Sequence, residues 1–392
     1  YKTRCTFSFW GLSNLGSKET MIGFNNPYLT GNELKFIQEA ATNKQLAGDG
    51  IFTEQCSDWL ENEISCSKAL LTHSCTAALE MAAILADIQE GDEVIMPSFT
   101  FVSTANAFVL RGAIPVFVDV RKDTLNINEQ LIEAAITKRT KAIVPVHYAG
   151  VPCEMDTIMN IAKAYNLLVI EDAAQGIFSS YKGRPLGSIG DIGCLSFHET
   201  KNIISGEGGA LLLNNDLFSG RAEIIREKGT NRTEFMRGEI SKYSWVDIGS
   251  SFLPGEMTAA FLWAQLQEGR AITQKRKEIW DFYHQEFQDL ENIKVIKRPS
   301  IPENSFHNGH IYYLLLNSED QRNSFIESMH LKGVHCVFHY IPLHTSEFGK
   351  NISRTSGDLA VTEDIAARLV RLPIWLGIDS AKVSQSVKDT LK

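Results

Sequence analysis

The feature that most constrains the fold is a repeated succession of short apolar runs and helical segments. The apolar runs are rich in β-branched residues and lie at 93–96, 115–120, 142–147, 167–170, 193–197 and 210–213. Segments with helical periodicity lie between or beside them, at 76–88, 129–136, 154–165 and 218–228. Because the runs lack regular polar alternation, both faces of each strand should be buried. The order predicts an α/β fold with a mostly parallel sheet covered by helices on both faces.

The pattern changes near residue 257. Residues 257–286 predict one long helix, and strands at 293–296, 311–316 and 334–341 and a helix at 321–331 are expected after it. This order predicts a smaller C-terminal α/β domain, joined through the long helix with a boundary between Gly269 and Lys277. We therefore expect a large domain over 21–270, a small domain over 271–392, and a segment outside the fold over 1–20.

Composition excludes several classes of protein. The net charge is −9 and no basic stripe is present, which argues against a nucleic-acid binder. No apolar run is long enough for a membrane-spanning helix, and no convincing signal peptide is found. The 7 cysteines contain no C-x-x-C pair, which favours buried, reduced thiols in the cytoplasm. His335 and His339 would share one strand face, but no third ligand follows at a recognised spacing, so no metal site is expected.

Two motifs place reactive side chains after predicted strands. One apolar run ends in Glu171 and Asp172, where a carboxylate could face a bound ligand or could simply cap a helix. Another run delivers Ser196 and then Lys201 into a turn that precedes the glycine-rich residues 206–209. A lysine that acts as a nucleophile needs a partly desolvated site, whereas most lysines are solvated surface charges. The glycine spacing matches neither a dinucleotide-binding nor a Walker fingerprint.

Two further motifs could hold a flat, phosphorylated ligand. Ser74, Cys75 and Thr76 open an alanine-rich helix, where free amides could bind a phosphate or Ser74 could act as an ordinary cap. Phe101 follows a strand and could stack on a ring or fill the core. An amine, an acid, an anion cradle and an aromatic side chain together match the needs of pyridoxal 5'-phosphate.

The order of these motifs resembles that of the DegT/StrS-type nucleotide-sugar aminotransferases. The segments that carry the resemblance include LAGDGIFTEQC, LLTHSCTAALEMAA, GDEVIMPSFTFVSTANAFVLRGA, EDAAQG, SFHETKN and VFHYIPLH. It extends from about residue 21 to near the C-terminus. It implies a fold-type-I transferase dependent on pyridoxal phosphate, with a large domain containing a seven-stranded type of sheet. It also implies a homodimer or higher homo-oligomer with shared active sites.

The resemblance assigns roles to individual residues. Lys201 would bind the cofactor aldehyde and act as the catalytic base, Asp172 would pair with the ring nitrogen, and Gln175 would reach the ring hydroxyl. The remaining cofactor contacts that it implies are Phe101, Cys75, Thr76, Ser196 and Ser251. Ser251 stands where many members have an asparagine that reaches the phosphate from the partner subunit. By motif position, Asp49, Tyr340 and His344 are candidates for contact with the sugar nucleotide.

The resemblance also implies a reaction. The amino group of L-glutamate would move to C4 of dTDP-4-dehydro-6-deoxy-D-glucose, yielding 2-oxoglutarate and an amino sugar for cell-surface polysaccharide. A C3-aminotransferase and a sugar dehydrase remain open on the same scaffold, although the dehydrases carry histidine where this chain has Lys201. A catalytically silent cofactor-binding protein would tolerate loss of Lys201 or Asp172, and both are present. A nicotinamide oxidoreductase lacks its glycine fingerprint.

Overall fold

The computed structural model describes residues 21–391, so the segment expected outside the fold, 1–20, lies outside the described residues. The helices are α1 (Glu33–Thr42), α2 (Ile51–Ile64), α3 (Cys75–Leu85), α4 (Val102–Val109), α5 (Ile132–Ala135), α6 (Met155–Tyr165), α7 (Ser219–Arg226), α8 (Arg232–Met236), α9 (Glu256–Gln267), α10 (Gly269–Glu286), α11 (Gln288–Asn292), α12 (Glu319–Leu331), α13 (Gly349–Ile352), α14 (Ala360–Arg368) and α15 (Ser380–Leu391). Short 3₁₀ segments lie at Glu129–Leu131, Tyr148–Gly150, Asp216–Phe218 and Leu343–Thr345.

The strands belong to one large sheet and two small ones. They are β1 (Lys68–Thr72), β2 (Glu93–Pro97), β3 (Ile114–Val118), β4 (Thr140–Ile143), β5 (Leu168–Asp172), β6 (Ser180–Tyr181), β7 (Arg184–Pro185), β8 (Ile192–Ser196), β9 (Gly209–Leu213), β10 (Ser305–Phe306), β11 (Tyr312–Leu315), β12 (Arg354–Thr355) and β13 (Leu369–Leu372).

The large sheet confirms the predicted fold class. Its strand order is β1-β9-β8-β5-β4-β2-β3-β12, and β9 alone in it runs antiparallel to its neighbours. All the other strands therefore end at the same edge, which is where functional groups collect in such sheets. The sequence reading missed β1 and the two-residue edge strand β12.

Successive residues of each strand enter two different cores, as expected for a sheet covered on both faces. Leu71, Val169 and Leu212 pack with α2, α6 and α9 on one face. Ile170 and Leu211 pack with α3, α4 and α7 on the other. This double burial explains why the strands appear in the sequence as continuous apolar runs.

The C-terminal region forms a third core around Tyr283, Tyr312 and Phe325, between α10, α12, α15 and the antiparallel pair β11–β13. It also returns to the large sheet, because Arg354 of β12 pairs alongside β3 and bonds the carboxylate of Glu93 on β2. The domain limits at 21–270 and 271–392 stay a prediction.

Three details of the C-terminal prediction are wrong. The expected continuous helix is divided into α9 and α10, because Glu268 leaves helical geometry with φ −100° and ψ 4°. Next to it, Gly269 packs so closely that a Cβ would approach the ring of Phe178 to 2.5 Å. The expected strand at 293–296 is absent, since Lys294 has a left-handed φ of +60°. The segment 334–341 forms only isolated bridges, at Val334 and Val337.

No helix within residues 21–391 combines the length and the apolar character that crossing a bilayer requires.

Candidate active site

Strand register brings several predicted residues to one edge of the sheet. Gly209 of β9 lies opposite both Thr72 of β1 and Ser196 of β8. Asp172, the last residue of β5, lies opposite Cys194 of β8. The ends of these neighbouring strands therefore bring Asp172 and Ser196 to the edge where α3 begins, with Ser196 two residues beyond the residue that faces Asp172.

Lys201 lies on the loop between β8 and β9, where its amide bonds the carbonyl of His198 at 2.9 Å. Its side chain is half-buried, and none of the described residues forms a hydrogen bond or ion pair with its amine. Burial lowers the pKa of the Lys201 amine, while nearby Cys75 and Asp172 oppose that shift. Lys201 is therefore not a solvated surface lysine, which was the other interpretation that the sequence left open.

The two acidic residues at the end of β5 have different surroundings. The Glu171 carboxylate accepts hydrogen bonds from the backbone amides of Gly187, Ile189 and Gly190 and bonds His147 Nε2 at 2.9 Å. Burial would raise the pKa of Glu171, but these hydrogen bonds outweigh it and lower the pKa. Glu171 is thus occupied in holding the fold.

Asp172 has few partners by comparison. Its Oδ2 accepts a hydrogen bond from Thr104 Oγ1 at 2.6 Å, and its Oδ1 accepts one from the amide of Ala174 at 3.2 Å. Thr100 Oγ1 in turn lies 2.8 Å from Thr104 Oγ1. These contacts orient the carboxylate and leave it acceptor capacity for a ligand.

The start of α3 has the form expected of an anion site. Ser74 Oγ accepts the amide of Ala77 at 3.1 Å, so Ser74 does cap the helix. Within the described residues, the amides of Cys75 and Thr76 have no hydrogen-bond acceptor, as is usual in the first turn. Gly209 packs directly beneath them, because a Cβ there would come within 2.5 Å of Cys75 N. Capping and anion binding are therefore compatible at this helix.

Two more predicted cofactor residues lie on the side of the site facing the C-terminal region. The exposed ring of Phe101 precedes α4, and its centroid lies 6.4 Å from that of Tyr340. Gln175 Oε1 accepts the amide of Ala149 at 2.6 Å, and Gln175 Nε2 donates to the Tyr340 hydroxyl at 3.1 Å. Contact of Gln175 with a ring hydroxyl stays a prediction.

Of three other predicted residues, Asp49 and His344 have side-chain partners within the chain, whereas no side-chain partner is seen for Ser251 among the described residues. Asp49 forms an ion pair with buried Arg226. His344 bonds Ser98 Oγ at 2.7 Å through Nδ1. Ser251 is exposed, and the carbonyl of the next residue, Phe252, accepts the amide of His73 near this chain's own α3. Contact of Ser251 with a partner subunit's phosphate stays a prediction.

Sequence reasoning missed four residues that surround the site. Thr104 and Tyr148 belong to runs that read as ordinary core, and Arg371 belongs to an apolar run near the C-terminus. For His339 the sequence favours packing or substrate contact over metal binding, but it does not identify the residues that His339 contacts. In the structure its ring stacks on Tyr340 at 3.7 Å and its Nδ1 bonds the Tyr148 hydroxyl at 2.7 Å. Within the part of the chain that the structure describes, no cluster of three or more potential ligands could hold a metal.

These residues fit pyridoxal phosphate. The unengaged amides of Cys75 and Thr76 suit a phosphate, Asp172 suits a protonated ring nitrogen, and the free amine of Lys201 suits an aldehyde.

Comparison with known proteins supports the same chemistry. Residues 27–391 match the profile of the DegT/DnrJ/EryC1/StrS aminotransferase family. An uncharacterized protein of Methanocaldococcus jannaschii is 38% identical over 331 residues, which cover 82% of this chain and 85% of that protein. The spore coat polysaccharide biosynthesis protein SpsC of Bacillus subtilis is 32% identical over 343 residues, covering 84% of this chain and 87% of that protein.

Among solved structures, the putative sugar aminotransferase Spr1654 of Streptococcus pneumoniae in its PMP form superposes with a TM-score of 0.87. The two chains are 25% identical, and the match covers 94% of this chain and 99% of that one. The same protein is also known in a PLP form. The predicted fold, enzyme class and cofactor are confirmed.

Proposed function

The chain belongs to the DegT/DnrJ/EryC1/StrS aminotransferase family, and on that premise we propose a specific reaction. L-Glutamate donates its amino group to C4 of dTDP-4-dehydro-6-deoxy-D-glucose. The products are 2-oxoglutarate and dTDP-4-amino-4,6-dideoxy-D-galactose, a precursor of polysaccharides such as enterobacterial common antigen. The Cα of glutamate becomes a ketone as it gives up its amino group, and the C4 ketone of the sugar becomes an amine. The oxidation of one carbon balances the reduction of the other, so no external oxidant or reductant is needed.

The observation that carries this proposal is the state of Lys201. Its amine is half-buried, has no partner within residues 21–391, and has a pKa lowered by burial. When bound, pyridoxal phosphate supplies an aldehyde that takes up the amine and a ring that accepts electrons from the donor's Cα. Lys201 Nζ can then remove the proton from that Cα, because a lowered pKa leaves more of the amine neutral.

Asp172 and the first turn of α3 bind the cofactor, and Lys201 acts again in the second half-reaction. Asp172, oriented by Thr104, would hold a proton on the ring nitrogen of the bound cofactor, and that proton would make the ring a better electron acceptor. The first turn of α3 holds the phosphate through Cys75 and Thr76. In the second half-reaction, Lys201 Nζ delivers a proton to C4 of the sugar, and the face on which it does so decides the epimer.

We also propose that the enzyme works as a homodimer in the cytoplasm. Support for a dimer comes from an exposed apolar stretch within 235–248, which leads toward Ser251. Its exposed members are Phe235, Met236, Tyr243, Trp245, Val246 and Ile248. A surface of this kind usually marks a protein interface. The free, buried cysteines among the described residues support a reducing compartment.

The first experiment is an absorbance spectrum of the protein with pyridoxal phosphate, before and after addition of L-glutamate. We expect a lysine-bound cofactor band that glutamate converts to the amine form of the cofactor. Lys201→Ala should lack the band, whereas Lys182→Ala, which loses a lysine paired with Asp156 on the surface, should keep it. A protein that shows no band with the cofactor would contradict the proposal.

The second experiment identifies the sugar. The enzyme in its amine form is offered dTDP-linked 4-keto and 3-keto sugars and the UDP-linked equivalents. NMR of the product then gives the position and the epimer. Return of the cofactor band with the dTDP 4-keto sugar alone, with an axial C4 amine in the product, is the expected result. Reaction at C3 would support the C3-aminotransferase instead.

A further inference from the structure

Arg371 lies beside the site, and the contacts of its charged side chain within the described residues do not satisfy its hydrogen-bond donors. It lies on β13, opposite Tyr313 of β11, and is half-buried. Within residues 21–391 it forms no ion pair with a carboxylate. Its guanidinium donates one long hydrogen bond, of 3.4 Å, to the carbonyl of Phe338, and its buried Nε has no partner. Leaving such a group unpaired is costly, so a partner outside the chain is expected.

The contacts of Arg371 with the segment that carries His339 and Tyr340 place it beside the reactive groups, and its charge acts on the same groups. It lowers the pKa of the Lys201 amine and of His339, in both cases after burial as the larger cause. Its neighbour across the isolated bridge is Val337, and the segment that follows Val337 carries His339 and Tyr340. Tyr340 in turn bonds Gln175, so Arg371 stands on the C-terminal side of the same site.

Arg276, which is buried, is a second arginine near Lys201, but the cavity beside it is too small for a ligand. One of its nitrogens donates to the carbonyl of His310 at 2.9 Å. The cavity that it shares with Lys201 has a volume of about 10 Å³, the space of a single water molecule. Arg371 is therefore the better candidate for an external anion.

We propose that Arg371 binds a carboxylate of the amino donor, which rests on the aminotransferase function proposed above. The donor's amine must reach the position of Lys201 Nζ, and its α-carboxylate is attached to the same carbon as that amine. An anion site close to Lys201 is thus required in the first half-reaction. A guanidinium can hold a carboxylate through two parallel hydrogen bonds. The diphosphate of the sugar is attached to C1, across the ring from the reacting C4, and fits this position less well.

Phe24 is the residue that positions Arg371. The guanidinium carbon lies 4.8 Å from the centroid of the Phe24 ring, a cation–π distance. Two hydrogen bonds fix the segment that carries Phe24: Trp375 Nε1 donates to the carbonyl of Gly23 at 2.9 Å, and Ile22 N donates to Gly333 O at 2.8 Å. The aromatic face therefore holds the guanidinium in place while leaving its hydrogen-bond donors available.

The test compares the two half-reactions in Arg371→Gln. The donor half-reaction is followed by stopped-flow absorbance with L-glutamate, and the sugar half-reaction is run in reverse with the dTDP amino sugar. We expect the donor kcat/KM to fall about 10²-fold, through loss of two charge-assisted hydrogen bonds, and the sugar kcat/KM to stay within about threefold. Arg371→Lys should give a donor kcat/KM between those of the wild type and Arg371→Gln. Arg184→Gln, which removes a surface charge paired with Asp156, should match the wild type.

A binding measurement makes the test independent of turnover. Glutarate is a dicarboxylate without an amine, and calorimetry should show its Kd raised about tenfold or more in Arg371→Gln. Phe24→Leu should raise the glutarate Kd by a smaller factor. Phe24→Tyr keeps the aromatic ring and should leave the Kd close to that of the wild type. Equal glutarate Kd values in wild type and Arg371→Gln would overturn the inference. Selective loss of the sugar half-reaction would also overturn it and assign Arg371 to the diphosphate.

These outcomes are distinct from failure of the proposed function. If no amino acid converts the cofactor band in the wild-type enzyme, the aminotransferase proposal fails, and the glutarate titration still decides whether Arg371 binds carboxylates.

Discussion

The two sides of the candidate site are built in different ways. On the sheet side, Asp172 and Ser196 end neighbouring strands whose backbone register fixes their separation. On the C-terminal side, His339 and Tyr340 lie on an irregular segment that is held by stacking and by hydrogen bonds between side chains. The sheet side is thus fixed by many backbone bonds, whereas single side chains decide the geometry of the other. Substitutions should therefore affect chemistry on the first side and substrate selection or local stability on the second.

The largest effect is expected on the sheet side, from Lys201→Ala. Removal of the amine takes away both the covalent anchor of the cofactor and the proton carrier, so turnover should fall by about 10⁴-fold or more. Steady-state transamination with L-glutamate measures this loss, and circular dichroism shows whether the fold is intact. Residual turnover within tenfold of the wild type would mean that another group moves the proton.

Sequence alone predicts the sheet side well. Asp172, Ser196 and Lys201 follow apolar runs, and the rule that parallel strands end at one edge is enough to bring them together. The edge strand β12 could not be predicted in this way, because it consists of two residues and depends on the distant carboxylate of Glu93.

The C-terminal side could not be predicted from periodicity. The segment 334–341 alternates like a strand, but His339 and Tyr340 are placed by contacts with Tyr148 and Gln175, which lie far away in the sequence. Arg371 reads as one polar residue in an apolar run. Only the tertiary structure shows that it has no acidic partner within the described residues.

Glu93 joins the C-terminal region to the large sheet, away from the candidate site, through its hydrogen bonds with Arg354 of β12, and its loss should be the next largest effect. Its buried carboxylate bonds Arg354, Arg139 and Thr137, and the hydrogen bond from Arg354 is the main reason that its pKa is lowered to about 2. Glu93→Gln should reduce the free energy of unfolding at neutral pH by about 3–5 kcal/mol, because two arginines lose a buried partner. Urea denaturation measures this change.

The pH dependence of that stability has a defined sign. A depressed pKa means that the folded state favours the carboxylate, so the contribution of Glu93 is complete above its usual pKa of 4.5 and is lost as pH falls toward 2. The difference between wild type and Glu93→Gln should therefore shrink from pH 5 to pH 3. Glu63→Gln, which breaks a pair with the exposed Arg270, is the matched control and should change stability by less than about 1 kcal/mol. A difference that is constant with pH would contradict this reading.

Thr104→Val should give a smaller effect that is confined to chemistry. The substitution removes the 2.6 Å hydrogen bond to Asp172 Oδ2 and keeps the shape of the side chain. We expect kcat to fall about tenfold in both half-reactions, with little change in KM, because Asp172 is less well oriented. Thr104→Ser keeps the hydroxyl and should retain most of the wild-type kcat. A change in KM alone would place Thr104 in substrate binding.

The smallest effect is expected from His344→Ala on the C-terminal side. Motif position predicts a substrate contact, but both ring nitrogens have protein partners, Ser98 Oγ at 2.7 Å and Glu363 Oε1 at 3.1 Å. Losing the inner hydrogen bond should reduce the free energy of unfolding by about 1–2 kcal/mol and leave the KM for the nucleotide sugar within about twofold. Glu363→Gln disturbs only the exposed partner and should have almost no effect. If KM rises tenfold while the unfolding curve is unchanged, His344 binds substrate, and this part of the C-terminal side is functional rather than structural.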